Sequence, residues 1–535
     1  MNNNQTKKTK DSFIKLSTLY IVSNILILFV HGIFWDDWTL YHDTTAIEQQ
    51  FFNGNGGIIA GYMHLFLQQL PCNTIFLYHS IIFLIGWINV WLFYKILNSA
   101  IKLDNKSSFC IAVIYATFPI GYAHMTMICL PYQLGLLLQL IAVLLFTLYI
   151  KKIDVVKYLL FFILQFSASL FLVSNVVFWG GLLFFFTLQA TWKYRNISIE
   201  YGKTILKQLF KWSIYYIPCI TFWIVRSIYF TPTGIYEASG YNSFSLKALF
   251  MLPMNLFKSI TNSLDFLISQ ISIVNESYTL VFIGLSLFVF IIYILNKNFN
   301  YKNIASITKY NFVAIFFLYI SAIGAYLMVG HVPIFDTISD RHAILIILTI
   351  CPFIYYLLNI LIVEKVRIYV LAFLLAIMST YSNSQYLEAI YQSQRNDAIM
   401  SFFKKTELPD GNIFVFENEI NQKTASCFYS WSGLYYNATG KQDKCFVTSN
   451  NYVIYDTENF LTESYHQKNA LAGNPIILLE IMNEIETRSY KSIIKRALYY
   501  YFQKSKYNDG IKKDFDIRYK EIEKINQIEV PRVSL

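Results

Sequence analysis

The chain has 535 residues, of which 55% are hydrophobic, 18% aromatic and only 14% charged. Soluble domains run at about 45–50% apolar and about 25% charged residues, so this composition excludes an ordinary soluble protein and a disordered chain. The formal net charge of +10 is unevenly placed: residues 1–383 hold 24 Lys and Arg against 14 Asp and Glu, whereas residues 384–535 hold 19 of each.

The charge contrast predicts a transmembrane body over residues 1–383 and a soluble domain over 384–535. Crossing about 30 Å of hydrocarbon takes about 20 apolar residues. The runs that approach this length are 16–34, 72–94, 107–124, 128–150, 158–173, 176–192, 212–230, 278–296, 310–330, 342–363 and 368–381. The expected fold class is therefore an α-helical polytopic membrane protein with about eleven transmembrane helices. The first run lacks a small-residue cleavage site and is expected to be an anchor, not a removed signal peptide.

With the basic start (Lys7, Lys8, Lys10, Lys15) in the cytoplasm, 20 of the 24 basic residues of the body fall on the cytoplasmic side. This is the positive-inside asymmetry, and it predicts a multi-pass protein of the cell (inner) membrane. The four basic residues left outside are Arg226, Lys247, Lys258 and Arg341, and nine of the 14 acids share that face. An odd number of spans also puts the carboxyl-terminal domain outside. There Cys427 and Cys445 are the only cysteine pair, and an oxidising compartment favours a disulfide between them.

The first outer loop, about residues 35–71, concentrates the acids. It reads Trp35-Asp36-Asp37-Trp38, continues through Asp43 and Glu48, and reaches the glycine-rich Asn53-Gly54-Asn55-Gly56-Gly57. Residues 37–52 have helical apolar spacing at Leu40, Ile47 and Phe51, which predicts an amphipathic helix in the headgroup layer flanked by Trp35 and Trp38. Asp36 is then either the N-cap of that helix or, with Asp37, a carboxylate that does chemistry where water and lipid meet. The glycine run lacks the Lys and Ser or Thr of a phosphate-binding loop and is expected to be a flexible reversal.

An acidic pair directly after the first span, a following juxtamembrane helix, about eleven spans and an outer soluble domain resemble the GT-C superfamily of membrane glycosyltransferases. The architecture is similar to that of bacterial O-antigen-modifying glucosyltransferases, enzymes of the cell envelope that act on lipopolysaccharide. The resemblance implies a sugar donor linked to polyprenyl phosphate, a glycan acceptor on the outer face, and an acid of the first loop as general base. Asp36 and Asp37 are the candidates, with Asp37 preferred because it begins the helix face shared with Glu48. Arg226 and Arg341 are the candidates to hold the donor phosphate. Asp43, Glu48 and His342 complete the expected substrate-binding set, His342 through the cluster Asp340-Arg341-His342 with His331 and Asp336 before it. A polyprenyl phosphate leaves as a monoester dianion without needing a metal, so no metal and no cofactor is expected, and no nucleic-acid partner. A polymerase or ligase using diphosphate-linked glycans, and a flippase or transporter, are the alternatives.

In residues 384–535 the spacing predicts a helix over 385–405, strands over 412–416 and 452–455, one or two helices over 475–503, and a helix or edge strand over 517–528. The run Tyr429-Ser430-Trp431-Ser432-Gly433-Leu434-Tyr435-Tyr436 either stacks on sugar or fills a small core.

Overall fold

The computed structural model describes residues 3–41, 45–119, 121–149, 154–191, 198–233, 235–238, 246–272, 277–296, 309–335, 338–408, 412–417, 428–448, 476–483 and 489–522. Asp43, Asp336, Cys427 and the expected strand over 452–455 lie outside these residues, and of Cys445 only the backbone is described.

The chain begins with helix α1 (Asn3–Asn24) and reaches the 3-10 turn Trp35–Tyr41. There follow α2 (Thr45–Gly54), α3 (Ile58–Gln68), α4 (Thr74–Ser99), α5 (Asn105–Thr117), α6 (Tyr122–Met125), the 3-10 turn Met127–Cys129, α7 (Leu130–Tyr149), α8 (Val155–Phe171) and α9 (Asn175–Thr191). Next come α10 (Ser198–Trp212), α11 (Ile217–Tyr229), α12 (Ile235–Ala238), α13 (Leu246–Phe250), α14 (Leu252–Ser272), α15 (Tyr278–Asn296), α16 (Lys309–Met328), the 3-10 turn Ile338–Ala343, α17 (Ile347–Leu361) and α18 (Glu364–Phe403). Four strands and three helices complete the described chain: β1 (Asn412–Glu417), α19 (Phe428–Thr439), β2 (Cys445–Thr448), β3 (Ile476–Asn483), α20 (Tyr490–Phe502), α21 (Lys504–Asp514) and β4 (Phe515–Ile522).

This is the architecture of a helical membrane protein. Among the described residues five segments are long and apolar enough to cross a membrane: Lys10–Phe29, Thr74–Ser99, Met127–Tyr149, Tyr278–Leu295 and Glu364–Phe403. Length and apolarity therefore do not reproduce the expected count of eleven. The runs at 107–124, 158–173, 176–192, 212–230, 310–330 and 342–363 all contain helix, but their apolar helical stretches are shorter. At 1.5 Å per residue, helices such as α5 and α11 span roughly 20 Å, well short of the hydrocarbon thickness.

The expected boundary at 383 falls inside α18, which joins the last apolar run and the expected helix at 385–405 into one element of 40 residues. Such a helix is about 60 Å long, enough to cross the hydrocarbon and stand well clear of it. Its inner part is tied to α1 by buried polar contacts, Ser23 to Ser379 (2.8 Å) and the Tyr386 hydroxyl donating to Asn24 Oδ1 (3.0 Å). Such pairs satisfy groups that lipid cannot.

The protruding end of α18 carries the later elements in two places. On one side Trp431, Leu434, Tyr435 and Phe446 share a core with Ile399, Phe403 and Trp38. On the other, α20 and α21 clasp the chain just after α1: the Tyr501 hydroxyl donates to Leu28 O (2.9 Å), and the Tyr507 hydroxyl lies 3.2 Å from His31 Nε2 and donates to Asp397 Oδ2 (2.5 Å). The strands form one sheet in the order β2-β1-β3-β4, parallel except for the antiparallel edge strand β4. Residues 476–483 are thus a strand where helix was expected, because the continuous apolar run Ile476-Ile477-Leu478-Leu479 carries no period-2 signal to separate strand from helix.

The first outer loop also departs from expectation. Residues 37–52 do not form one helix at the lipid surface: the 3-10 turn Trp35–Tyr41 and α2 are separate, and Asp37, Trp38, Thr39 and Leu40 are all buried. Trp38 is no interfacial anchor. Its ring lies flat on Gly433 of α19, where an added Cβ would approach it to 2.4 Å. Gly433→Ala is therefore expected to lower stability by about 1–3 kcal/mol, the usual cost of overpacking, with relief when Trp38→Leu is combined with it. Thermal melting of the two variants checks this, and an unshifted melt for the single variant contradicts it.

Candidate functional site

Three short elements converge on the acidic pair: the turn Trp35–Tyr41, the turn Met127–Cys129 that opens α7, and the turn Ile338–Ala343. Trp35 starts the first of them with φ 48°, a left-handed conformation that a bulky side chain rarely adopts. The guanidinium of Arg341 lies over the Trp35 ring at 4.5 Å, within cation–π range. The contact pins the third turn to the first.

Asp37 is fully buried. Its Oδ1 accepts from the Ile128 amide (2.8 Å), so the carboxylate caps the helix N-terminus of a different segment from its own. Its Oδ2 has no hydrogen-bond partner among the described residues. Burial raises the carboxyl from its usual 3.8 to about 7, opposed by the Ile128, Met127 and Phe34 backbone and reinforced slightly by Asp36. Asp36 is half-buried, and its carbonyl accepts from the Thr39 hydroxyl (2.8 Å). The two neighbours are thus different: Asp37 faces the dry interior and Asp36 its edge.

Asp340 is buried beside the same place. Its Oδ2 would be 2.9 Å from a Cβ added to Gly121, and the Gln385 amide 3.0 Å from it, so α18 reaches the site too. Cys129 lies within the electrostatic reach of Arg341, Asp37 and Asp340 together. His342 packs on Tyr326 (4.6 Å) and His331 (5.9 Å). Its ring thus belongs to an aromatic cluster beside the Ile338–Ala343 turn. His124 is buried in α6, which packs against the Ile338–Ala343 turn, and its Nε2 has no partner among the described residues.

The other described candidates, Glu48 and Arg226, sit on α2 and α11. Glu48 is buried on α2, accepts from Gln68 Nε2 (3.2 Å), and is raised by burial from 4.5 to about 8. Arg226 is on α11, one turn before Phe230, whose carbonyl abuts the Gly54–Gly57 turn. That turn is not a free reversal: Gly56 has φ 78°, an added Cβ would meet Phe230 O at 2.5 Å, and the Thr233 amide donates to Gly54 O (2.9 Å). Glycine is needed there for close backbone approach. In α19 the aromatics Trp431 and Tyr435 fill the core.

Among the described residues no group of three or more His, Cys, Asp or Glu is placed to hold a metal ion. A separate apolar cavity of about 80 Å³, lined by Phe93, Leu140, Phe178, Phe186, Leu348 and Tyr356 among others, shares no residue with the acidic cluster. No protein-family model matches the chain, and no curated protein matches it significantly.

The raised Asp37 has a thermodynamic signature. Its folded value lies above the usual one, so its stabilising contribution is complete below about pH 4 and is lost as pH rises through about 7. A shift of this size corresponds to on the order of 4 kcal/mol. Asp37→Asn keeps the acceptor for the Ile128 amide and removes the titration. Its melting temperature is expected to exceed that of the wild type above neutral pH and to converge with it in acid; parallel pH profiles of the two melts contradict the burial of an ionisable Asp37.

Proposed function

We propose that the chain is an integral-membrane glycosyltransferase of the GT-C type, moving a sugar from a polyprenyl-phosphate donor to a hydroxyl of an outer-face glycan acceptor. The observation that carries this reading is a buried carboxylate with one oxygen engaged and the other without a partner among the described residues, two positions from a tryptophan whose ring carries a guanidinium. In this reading the elements beyond α18 form the outer α/β domain, and the eleven apolar runs form the membrane body of an inner-membrane protein.

In the proposed reaction Asp37 Oδ2 takes the proton of the acceptor hydroxyl. The acceptor oxygen attacks the anomeric carbon, the bond from that carbon to the phosphate oxygen breaks, and its electron pair leaves on the polyprenyl phosphate. The guanidinium of Arg341 stabilises that anion, bound in bidentate fashion. A base with a value near 7 is well matched to proton transfer at neutral pH. Asp36, at the edge of the cluster, adds negative charge that holds the Asp37 proton more tightly. Arg226 on α11 and Glu48 on α2 are the further candidates to bind substrate.

Purified protein supplied with a panel of polyprenyl-phosphate sugars and a cell-envelope glycan extract tests the reading. Asp37→Asn is expected to cut turnover roughly 100- to 10,000-fold, the range for loss of a general base, while Asp36→Asn keeps most of it. Arg341→Ala is expected to lower donor turnover by about 100-fold or more. Wild-type protein that consumes no monophosphate donor overturns the reading and directs the same assay to diphosphate-linked glycans and to transport.

A further inference from the structure

Helix α10 has three distinct faces. Ile205, Leu209 and the buried Trp212 lie on the side that packs against α9. Next to that side, Leu206 and Phe210 are left 68% and 84% exposed. Beside them, at intervals of four residues, stand Lys203, Lys207 and Lys211, all exposed. At 100° per residue the two exposed apolar side chains and the three lysines occupy adjoining sectors of the helix.

The exposed apolar stripe continues beyond the helix. Ile214, Ile217, Ile220, Ile224 and Ile228 follow at spacings of three and four residues and are all exposed, the last four on α11. The start of α8 joins the patch: the Tyr158 hydroxyl donates to Ile214 O (2.9 Å), and Val155, Val156 and Leu159 of the same helix are exposed. Lys157 and Asp154 of that helix neutralise one another as an ion pair. No carboxylate among the described residues pairs with Lys203, Lys207 or Lys211, so three positive charges border a continuous apolar surface.

A stripe that runs from the apolar helix α11 onto the amphipathic α10, with an ordered row of lysines at its edge, fits a bilayer surface better than a soluble partner. We propose that α10 rests on the leaflet facing its lysines, with Leu206 and Phe210 among the acyl chains and Lys203, Lys207 and Lys211 on the phosphates of anionic phospholipids. Apolar insertion alone does not discriminate between headgroups; the lysine row does, since each lysine near the surface favours anionic lipid independently. The consequence is a protein that gathers anionic lipid around α10. This inference uses none of the acidic cluster and stands or falls apart from the proposed reaction.

The test uses the full chain reconstituted in vesicles of phosphatidylcholine and phosphatidylglycerol, extracted in mild detergent, with co-purifying lipid counted for each headgroup. Wild type is expected to retain phosphatidylglycerol in excess of its share in the vesicle, and less of it as salt rises. Replacing all three lysines by Gln is expected to reduce that excess about tenfold or more, and replacing them by Arg to preserve it. Retention in proportion to vesicle composition, an excess unaffected by salt, or an equal excess in the Gln variant overturns the proposal. Self-association of wild type that is lost in Phe210→Ser and independent of headgroup would assign the patch to a second copy and also overturn it. Should the Gln variant fail to fold, the salt series on wild type and the Arg variant decide the matter.

Discussion

The structure turns on the hydrogen bond that Asp37 accepts from Ile128, because it fastens an acidic loop onto the start of a membrane helix at a depth where the carboxyl is fully buried. Desolvation is the cost of that position, and the helix terminus repays only part of it. The neighbours of Asp37 supply the rest of the constraint. Trp35 carries Arg341 on its ring, and Trp38 rests on Gly433, so a stretch of four residues joins the first loop, the Ile338–Ala343 turn and α19. Moving any of these partners moves the carboxylate.

The consequence for chemistry is a carboxyl that neither titrates as a surface acid nor lies too deep to titrate near neutrality. With a value of about 7, Asp37 is divided between its two forms around neutral pH. Glu48, raised to about 8 by burial on α2, is chiefly neutral there and accepts from Gln68. Two carboxyls of one loop thus have separate characters set by their surroundings. His342 is packed between Tyr326 and His331. Arg341 is left to carry the positive charge of that turn.

Much of this was legible in the sequence, and the exceptions have physical causes. Five of the apolar runs, 16–34, 72–94, 128–150, 278–296 and 368–381, fall on the segments long and apolar enough to cross a membrane, since about 20 consecutive apolar residues have few other uses. They did not give helix lengths: the run at 107–124 yields only α5 and the short α6, with Gly121 between them beside Asp340 and Gln385. The acidic pair stood out through its position after the first span, but its surroundings did not. Trp38 was expected at the lipid surface because tryptophan favours interfaces, and the covering α19 comes from nearly 400 residues away in the sequence. Helical spacing in residues 37–52 was similarly misleading: Leu40 and Phe51 are buried in one core although they belong to two elements, the 3-10 turn and α2. Asp37 was expected to serve a helix of its own; no local pattern tells a residue that it caps a distant one. The continuity of α18 through residue 383 was hidden by its change from apolar to polar composition, which marks where the helix leaves the apolar layer and not where it ends.

The most direct test of the account is photo-crosslinking with a polyprenyl-phosphate sugar that carries a photoreactive group on the sugar, followed by mapping of the labelled peptides by mass spectrometry. The account predicts label on residues 35–41, 121–129 and 338–342, competed away by unlabelled donor. Label confined to the apolar cavity lined by Phe93, Phe186 and Tyr356, or competition-resistant label spread over the surface, would contradict it.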